Sequence, residues 1–225
     1  MADDISVQSQ AVGDFLKTIY TLQQSMDRVS TNALANALGI KAPSVTDMAQ
    51  RMVDAGLVHY RKYRGVLLTE HGEKIALKII RRHRLIELYL AQELGYALHE
   101  VHDEAENLEH AVSDRFVDAI AEKMNHPTLD PHGDPIPDRE GAIVRRELMP
   151  LSELAVDTTA VIARFQTQDE AMLKHITDRE FSLQQRVRVS KRDPFEGPIT
   201  VHVDGDTRII GHNVALCILV HPSEV

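Results

Sequence analysis

Residues 126–138, HPTLDPHGDPIPD, contain four prolines and one glycine. No helix or strand of ordinary length runs through such a stretch, because proline removes a backbone donor and glycine relaxes the chain. This breaker-rich linker divides the sequence into two textures. Ahead of it apolar residues recur at helical spacing; from about residue 147 they fall into short β-rich runs. The chain is therefore expected to be mainly α with a small β domain at its C-terminal end. Its 225 residues are enough for two or three domains.

The front part carries local start and stop signals. Residues 11–24 predict a helix with Val12, Phe15, Leu16, Ile19 and Leu22 on one stripe. Thr31 to Leu38 predicts a short second helix, capped by Ser30 or Thr31 and stopped by Gly39. A third follows, with Pro43 in its first turn, Val45, Met48 and Met52 inward, and Gly56 at its end. VHYRKYRGVLLT, residues 58–69, is rich in β-branched and aromatic residues around Arg64-Gly65 and predicts a hairpin. Helix, helix-turn-helix and hairpin in that order make a winged helix-turn-helix. Long helices are expected over 72–94 and 101–124, the latter with Ala105, Leu108, Val112, Phe116 and Ala119 as its apolar stripe. Beyond 147, the runs 161–165, 185–190, 198–203, 206–210 and 215–220 predict five strands of a partly closed barrel, interrupted by a helix from Asp169 to Ile176.

The net charge of −9 argues against nucleic acid until its distribution is considered. Residues 1–84 carry +4 and residues 85–225 carry −13, which together recover the total. A mildly basic front joined to a strongly acidic remainder suits a polyanion-facing module attached to a different kind of body. In a winged helix the first residues of the third helix meet base edges in the major groove. Here these are Ala42, Pro43, Ser44 and Thr46, while Lys41, Arg51, Arg61, Lys62 and Arg64 are set to neutralise phosphates. Such modules also serve as protein-interaction domains; the Arg-Lys-Tyr-Arg run favours DNA, because solubility does not require that cluster.

Twelve histidines draw attention to VHDEAENLEH, residues 101–110. On one helix His102, Glu106, Glu109 and His110 fall within an arc of roughly 100°. His83 and Glu87 are i and i+4 on the preceding helix. Facing carboxylates would repel one another and lose solvent; a divalent cation removes both costs. The plain alternative is a solvated acidic face with stray histidines.

RRHRLIELYL, VHDEAENLEH, PHGDPIP and the winged-helix block together resemble the diphtheria-toxin-repressor family of metal-dependent transcriptional regulators, in its three-domain manganese form. The resemblance implies a winged helix-turn-helix over 1–73, a helical dimerisation and metal domain over 74–146, and an SH3-like (FeoA-like) barrel over 147–225. It implies a cytoplasmic homodimer that grips a palindromic operator in double-stranded DNA and represses metal-uptake genes. Asp14, Glu106, Glu109 and His110 would form the primary metal site. His83, Glu87 and His102, with Asp130 and His132 from the linker, would form the second. Asp14 and Glu106 stand where iron-sensing members have sulfur ligands, and hard oxygen donors suit Mn²⁺, with Fe²⁺ the alternative. Lys17 departs from the two-domain manganese sensors, which have a ligating Glu there. Asp130 stands where three-domain relatives have Cys, and Asp169 is a further candidate ligand.

Other function classes are weaker. A di-metal enzyme of the ferritin-like kind needs paired Glu-x-x-His motifs, which are absent, as are HExxH, GxSxG and a phosphate-binding glycine loop. A metal-independent winged-helix regulator would use the His/Glu face only as a dimer surface. A single cysteine, Cys217, expected as a buried strand residue, cannot form an internal disulfide. The acidic start MADDISVQSQ does not read as a secretory signal, and no apolar run reaches the about 18 residues of a membrane span. His59, His71, His126, His175, His202, His212 and His221 are assigned no role.

Overall fold

A computed structural model describes residues 10–167 and 169–222; the acidic N-terminal stretch up to residue 9 lies outside them. The chain divides into two compact units. One holds residues 10–83, 108–114 and 137–143, the other 84–107, 115–136 and 144–222.

In the first unit α1 (Gln10–Leu22) buries Val12, Phe15, Leu16 and Ile19, four of the five stripe residues. Ser30 caps α2 (Thr31–Leu38), its hydroxyl accepting from Ala33 N, and Gly39 ends it in the left-handed conformation. Helix α3 (Ala42–Asp54) has Pro43 in its first turn and buries Val45, Ala49 and Met52. Strands β1 (Val58–Arg61) and β2 (Gly65–Leu68) form the antiparallel wing. Phe15, Leu16, Leu34, Met52, Leu57 and Val66 meet in one core. Each such side chain contributes about 1.5–3 kcal/mol on burial. The base of the wing is clamped: Arg28 Nη2 donates to His59 O at 3.1 Å and Gly65 O at 3.2 Å. Gly65 has φ 86°, and a Cβ there would lie 2.3 Å from Val29 O. Only glycine fits.

Helix α4 (Glu70–Glu93) is followed by α5 (Val101–Glu109) and α6 (Asp114–Lys123), so the single helix expected over 101–124 is two. The break resets the phase. Helix α6 buries Val117, Ile120 and Ala121 and leaves Phe116 48% exposed, against the expected stripe. Ser113-Asp114 is a helix-start pair that the apparent periodicity across 105–119 obscured.

Among its described residues the C-terminal part has six strands where five were expected: β3 (Met149–Pro150), β4 (Thr159–Phe165), β5 (Arg186–Arg192), β6 (Ile199–Val203), β7 (Asp206–Ile210) and β8 (Ile218–Pro222). They form one antiparallel sheet in the order β3-β8-β4-β5-β6-β7. Helix α7 (Glu170–Thr177) starts at Asp169, and α8 (His212–Cys217) takes the first half of the run expected as the last strand. Cys217 is therefore a helix-terminal residue, half-buried, not a strand residue. Phe165, Phe181, Leu173, Val187 and Val201 fill this core. The Pro-rich segment is no open linker: Asp130, His132 and Ile136 are buried, and Leu129 and Pro135 pair across its turn.

Candidate metal centre and nucleic-acid interface

Helix α1 places Asp14 and Lys17 one turn apart on the same face, and the end of α5 presents Glu109 and His110 to them. His110 Nε2 lies 2.8 Å from Asp14 Oδ1 and 3.1 Å from Glu109 Oε1. Asp14, Glu109 and His110 each offer a ligand atom within 4.8 Å of the others. Lys17 Nζ donates to Glu109 Oε1 at 2.7 Å, and His83 Nδ1 lies 2.7 Å from Glu109 Oε2. The Glu109 side chain is fully buried. Burial pushes its carboxyl up, but the hydrogen bond and charge of His83, with Lys17 behind them, hold it below the usual carboxylate range. Arg82 Nη1 donates to Glu109 O at 2.8 Å, satisfying a carbonyl at the helix end. Glu106 stands one turn ahead of Glu109 and His110 on α5.

A second set is built in the other unit from α4, α5 and the Pro-rich segment. Glu87 Oε1 lies 3.3 Å from His102 Nδ1 and Glu87 Oε2 3.9 Å from His132 Nδ1. Glu87, Asp130 and His132, all buried, bring a ligand atom each within 4.8 Å. Glu106 Oε1 is 4.0 Å from His102 Nε2. Asp130 Oδ1 accepts from the backbone N–H groups of His132 and Asp134, both at 2.8 Å, which shapes the turn. Burial pushes the Asp130 carboxyl well up, reinforced by the charges of Asp134 and Glu87; Arg84, with Nε 3.6 Å from Oδ2, opposes this. Burial also lowers the His132 pKa and keeps the ring neutral. His132 Nε2 sits 3.2 Å from Leu98 O, so Nε2 carries the proton and the Nδ1 lone pair faces Glu87.

The donor chemistry of both sets fits a hard or borderline divalent cation: carboxylate oxygens with one or two imidazoles and no thiolate. The structure brings Asp14, Glu109 and His110 together, and separately Glu87, His102, Asp130 and His132. His83, expected with the second set, turns its Nδ1 to Glu109. Asp169 caps α7, accepting from Met172 N at 2.9 Å, and joins no ligand group among the described residues. Sequence reasoning missed the contact of Lys17 with Glu109 and the support given by Arg84, Asp134 and the Leu98 carbonyl. Asp134 alone left a trace, as the second Asp of the turn-rich run DPHGD.

The other surface belongs to α3 and the wing. Lys41, Pro43, Ser44, Thr46 and Arg51 are exposed and Ala42 is half-buried. The Thr46 hydroxyl donates to Ala42 O at 3.1 Å, leaving its oxygen to accept. At the wing tip Arg61, Lys62 and Arg64 are exposed, and Tyr63, 93% exposed with φ 64°, lies beneath Lys62 Nζ at 5.2 Å. The α3 N-terminus adds the positive end of its dipole.

Three family models match. The iron-dependent repressor N-terminal DNA-binding domain covers residues 9–66, the iron-dependent repressor metal-binding and dimerisation domain 69–138, and the FeoA domain 149–222. The sequence is 35% identical over 123 residues to the diphtheria toxin repressor of Corynebacterium efficiens, which is 55% of this chain and 54% of that one. The match thus spans about half the length of that relative. It is 34% identical over 113 residues to the HTH-type transcriptional regulator MntR of Oceanobacillus iheyensis, 50% of this chain and 76% of that one. A solved manganese-dependent transcriptional repressor in complex with manganese is 40% identical and superposes with a TM-score of 0.86 over 94% of this chain and 99% of the other.

Proposed function

Because the chain belongs to the diphtheria-toxin-repressor family of metal-dependent transcriptional repressors, which are DNA-binding regulators and not enzymes, we propose that it represses metal-uptake genes by binding a palindromic operator as a homodimer when loaded with Mn²⁺. The observation that carries the reading is the contact between Asp14 on α1 and His110 at the end of α5, 2.8 Å apart. It joins the first helix of the winged helix-turn-helix to the helix that bears the other ligands.

Asp14, Glu106, Glu109 and His110 would hold one divalent ion; Glu87, His102, Asp130 and His132, with His83, would hold a second. A bound cation would neutralise carboxylates that otherwise repel one another. The chain's own residues do the rest. Asp14 restrains α1 against α5 and so limits the motion of α3, whose first residues read base edges. Two recognition helices of a dimer must match half-sites about one helical turn apart, so a restraint on α1 favours the DNA-competent arrangement. Arg61, Lys62 and Arg64 contact phosphates. The proposed domain limits are 1–73, 74–146 and 147–225, and the proposed compartment is the cytoplasm; no described helix is long and apolar enough to cross a membrane.

Manganese is preferred on the all-oxygen and imidazole donor sets. The matched domains named for iron-dependent repressors support Fe²⁺ as the second reading. The test is gel-shift binding to the protein's own upstream DNA across Mn²⁺, Fe²⁺, Co²⁺ and Zn²⁺ with a chelator control, repeated with Asp14→Ala. Wild-type binding should require metal, and Asp14→Ala should lose the response while remaining folded. Equal binding with and without chelator would overturn the reading.

A further inference from the structure

We propose that Lys17 is a tethered cation that engages Glu109 in the metal-free protein and weakens the site's hold on a divalent ion, so that it sets the metal concentration at which the protein responds. The inference rests on the reading of Asp14, Glu109 and His110 as ligands.

Both Glu109 oxygens are already engaged by the chain. Oε1 takes the Lys17 ammonium at 2.7 Å and faces His110 Nε2 at 3.1 Å; Oε2 faces His83 Nδ1 at 2.7 Å. A lysine ammonium beside a carboxylate is charged at neutral pH. Lys17 thus sets a positive charge against a buried acid, beside that of His83, and its own side chain is only 16% exposed. Together with His83 it offsets the burial that disfavours the charged carboxylate. An incoming divalent ion needs the same oxygen atoms. It must displace the ammonium from Oε1 or stand beside a like charge, and either outcome subtracts from its affinity. The metal-free protein gains a compensated Glu109, and the sensor trades affinity for that order. Lys17 lies one turn beyond Asp14 on α1, so the same helix that supplies a ligand supplies the competitor.

A lysine that merely stabilises the fold makes a different prediction. Its loss would lower the stability of free and loaded protein alike and would leave metal affinity unchanged or reduced. The test compares the full chain as wild type, Lys17→Gln and Lys17→Arg. Mn²⁺ affinity is measured by competition with a fluorescent chelator, and thermal unfolding is followed in EDTA and in Mn²⁺. Lys17→Gln should bind Mn²⁺ about tenfold more tightly, the scale of one nearby charge in a partly screened site. It should melt lower than wild type in EDTA and show a larger rise in Tm on adding Mn²⁺. Lys17→Arg, which keeps the charge, should stay near wild type in both. Unchanged or weaker affinity of Lys17→Gln, with an equal Tm rise, overturns the proposal and leaves the metal-dependent reading intact. A wild type that neither binds Mn²⁺ nor gains Tm from it overturns both. A second measurement needs no variant. Amine acylation of wild type, read by mass spectrometry, should label Lys17 faster with Mn²⁺ than in EDTA as the ammonium leaves Glu109; equal or slower labelling overturns the proposal.

Discussion

Asp130 separates two roles that a carboxylate can play at one position. Its Oδ1 accepts from the N–H groups of His132 and Asp134, both at 2.8 Å, and its residue is buried. Removing the side chain in Asp130→Ala leaves both donors without that acceptor. An orphaned buried donor costs about 1–3 kcal/mol. Asp134 is only partly buried and can recover water, so the pair should cost about 2–4 kcal/mol. Asp130→Asn keeps an oxygen at Oδ1 and both hydrogen bonds. It removes a negative charge that burial already disfavours, since burial and the charges of Asp134 and Glu87 push this carboxyl well up. The loss of attraction to Arg84, at 3.6 Å, is small in comparison. Asp130→Asn should therefore unfold within about 1 kcal/mol of wild type in EDTA. Urea denaturation followed by circular dichroism measures both variants, and metal titration then reads the second site, which each should weaken. If Asp130→Asn proves as unstable as Asp130→Ala, the charge and not the turn holds this segment, and the reasoning fails.

Gly65→Ala would force a Cβ to 2.3 Å from Val29 O at φ 86°; a cost of about 2–4 kcal/mol is expected, with DNA affinity lost and Mn²⁺ binding retained, as urea denaturation, gel shift and chelator competition would show. Burial depresses the His132 pKa in the folded chain, so its stabilising share is present above the ordinary histidine pKa and is lost as pH falls through that value toward the folded one. In EDTA, His132→Gln should accordingly show a shallower loss of unfolding free energy between pH 7.5 and 5.5 than wild type; parallel slopes would remove the ring from that account.

The winged helix was legible because each of its elements is punctuated locally. Ser30 caps α2, Gly39 stops it, Pro43 sits in the first turn of α3, and Arg64-Gly65 marks the wing. The carboxylate–histidine spacing on α5 was legible for the same reason, since i, i+3 and i+4 neighbours share a face by helix geometry alone. What sequence spacing could not carry is contact at a distance. Lys17 reads as an ordinary surface lysine of an amphipathic helix, and its partner Glu109 is 92 residues away. The break at 110–113 was hidden because apolar residues on either side happen to continue one another's phase. The run 215–220 was expected as one strand, but its first half closes a helix turn whose Val214 and Ala215 fill the sheet core.

The Pro-rich segment marks where local reasoning stops and where the second candidate ligand set begins. Four prolines predict that nothing regular forms there, and the structure agrees, yet irregular does not mean loose. His132 O accepts from Phe165 N at 2.8 Å, and Arg164 Nη2 lies 2.7 Å from Asp134 Oδ1. Gly133 has φ 88°, and a Cβ there would fall 2.2 Å from Ala163 O. Residues 132–134 are thus laid directly on the backbone of β4, with no room for a side chain between. On the other side, the Leu98 side chain packs against the sheet core while its carbonyl faces His132 Nε2. The sheet therefore fixes both the backbone and the tautomer of His132, and so decides which nitrogen a cation would meet. A side chain held this way would lose little freedom on binding a cation, because its ordering was completed when the sheet folded.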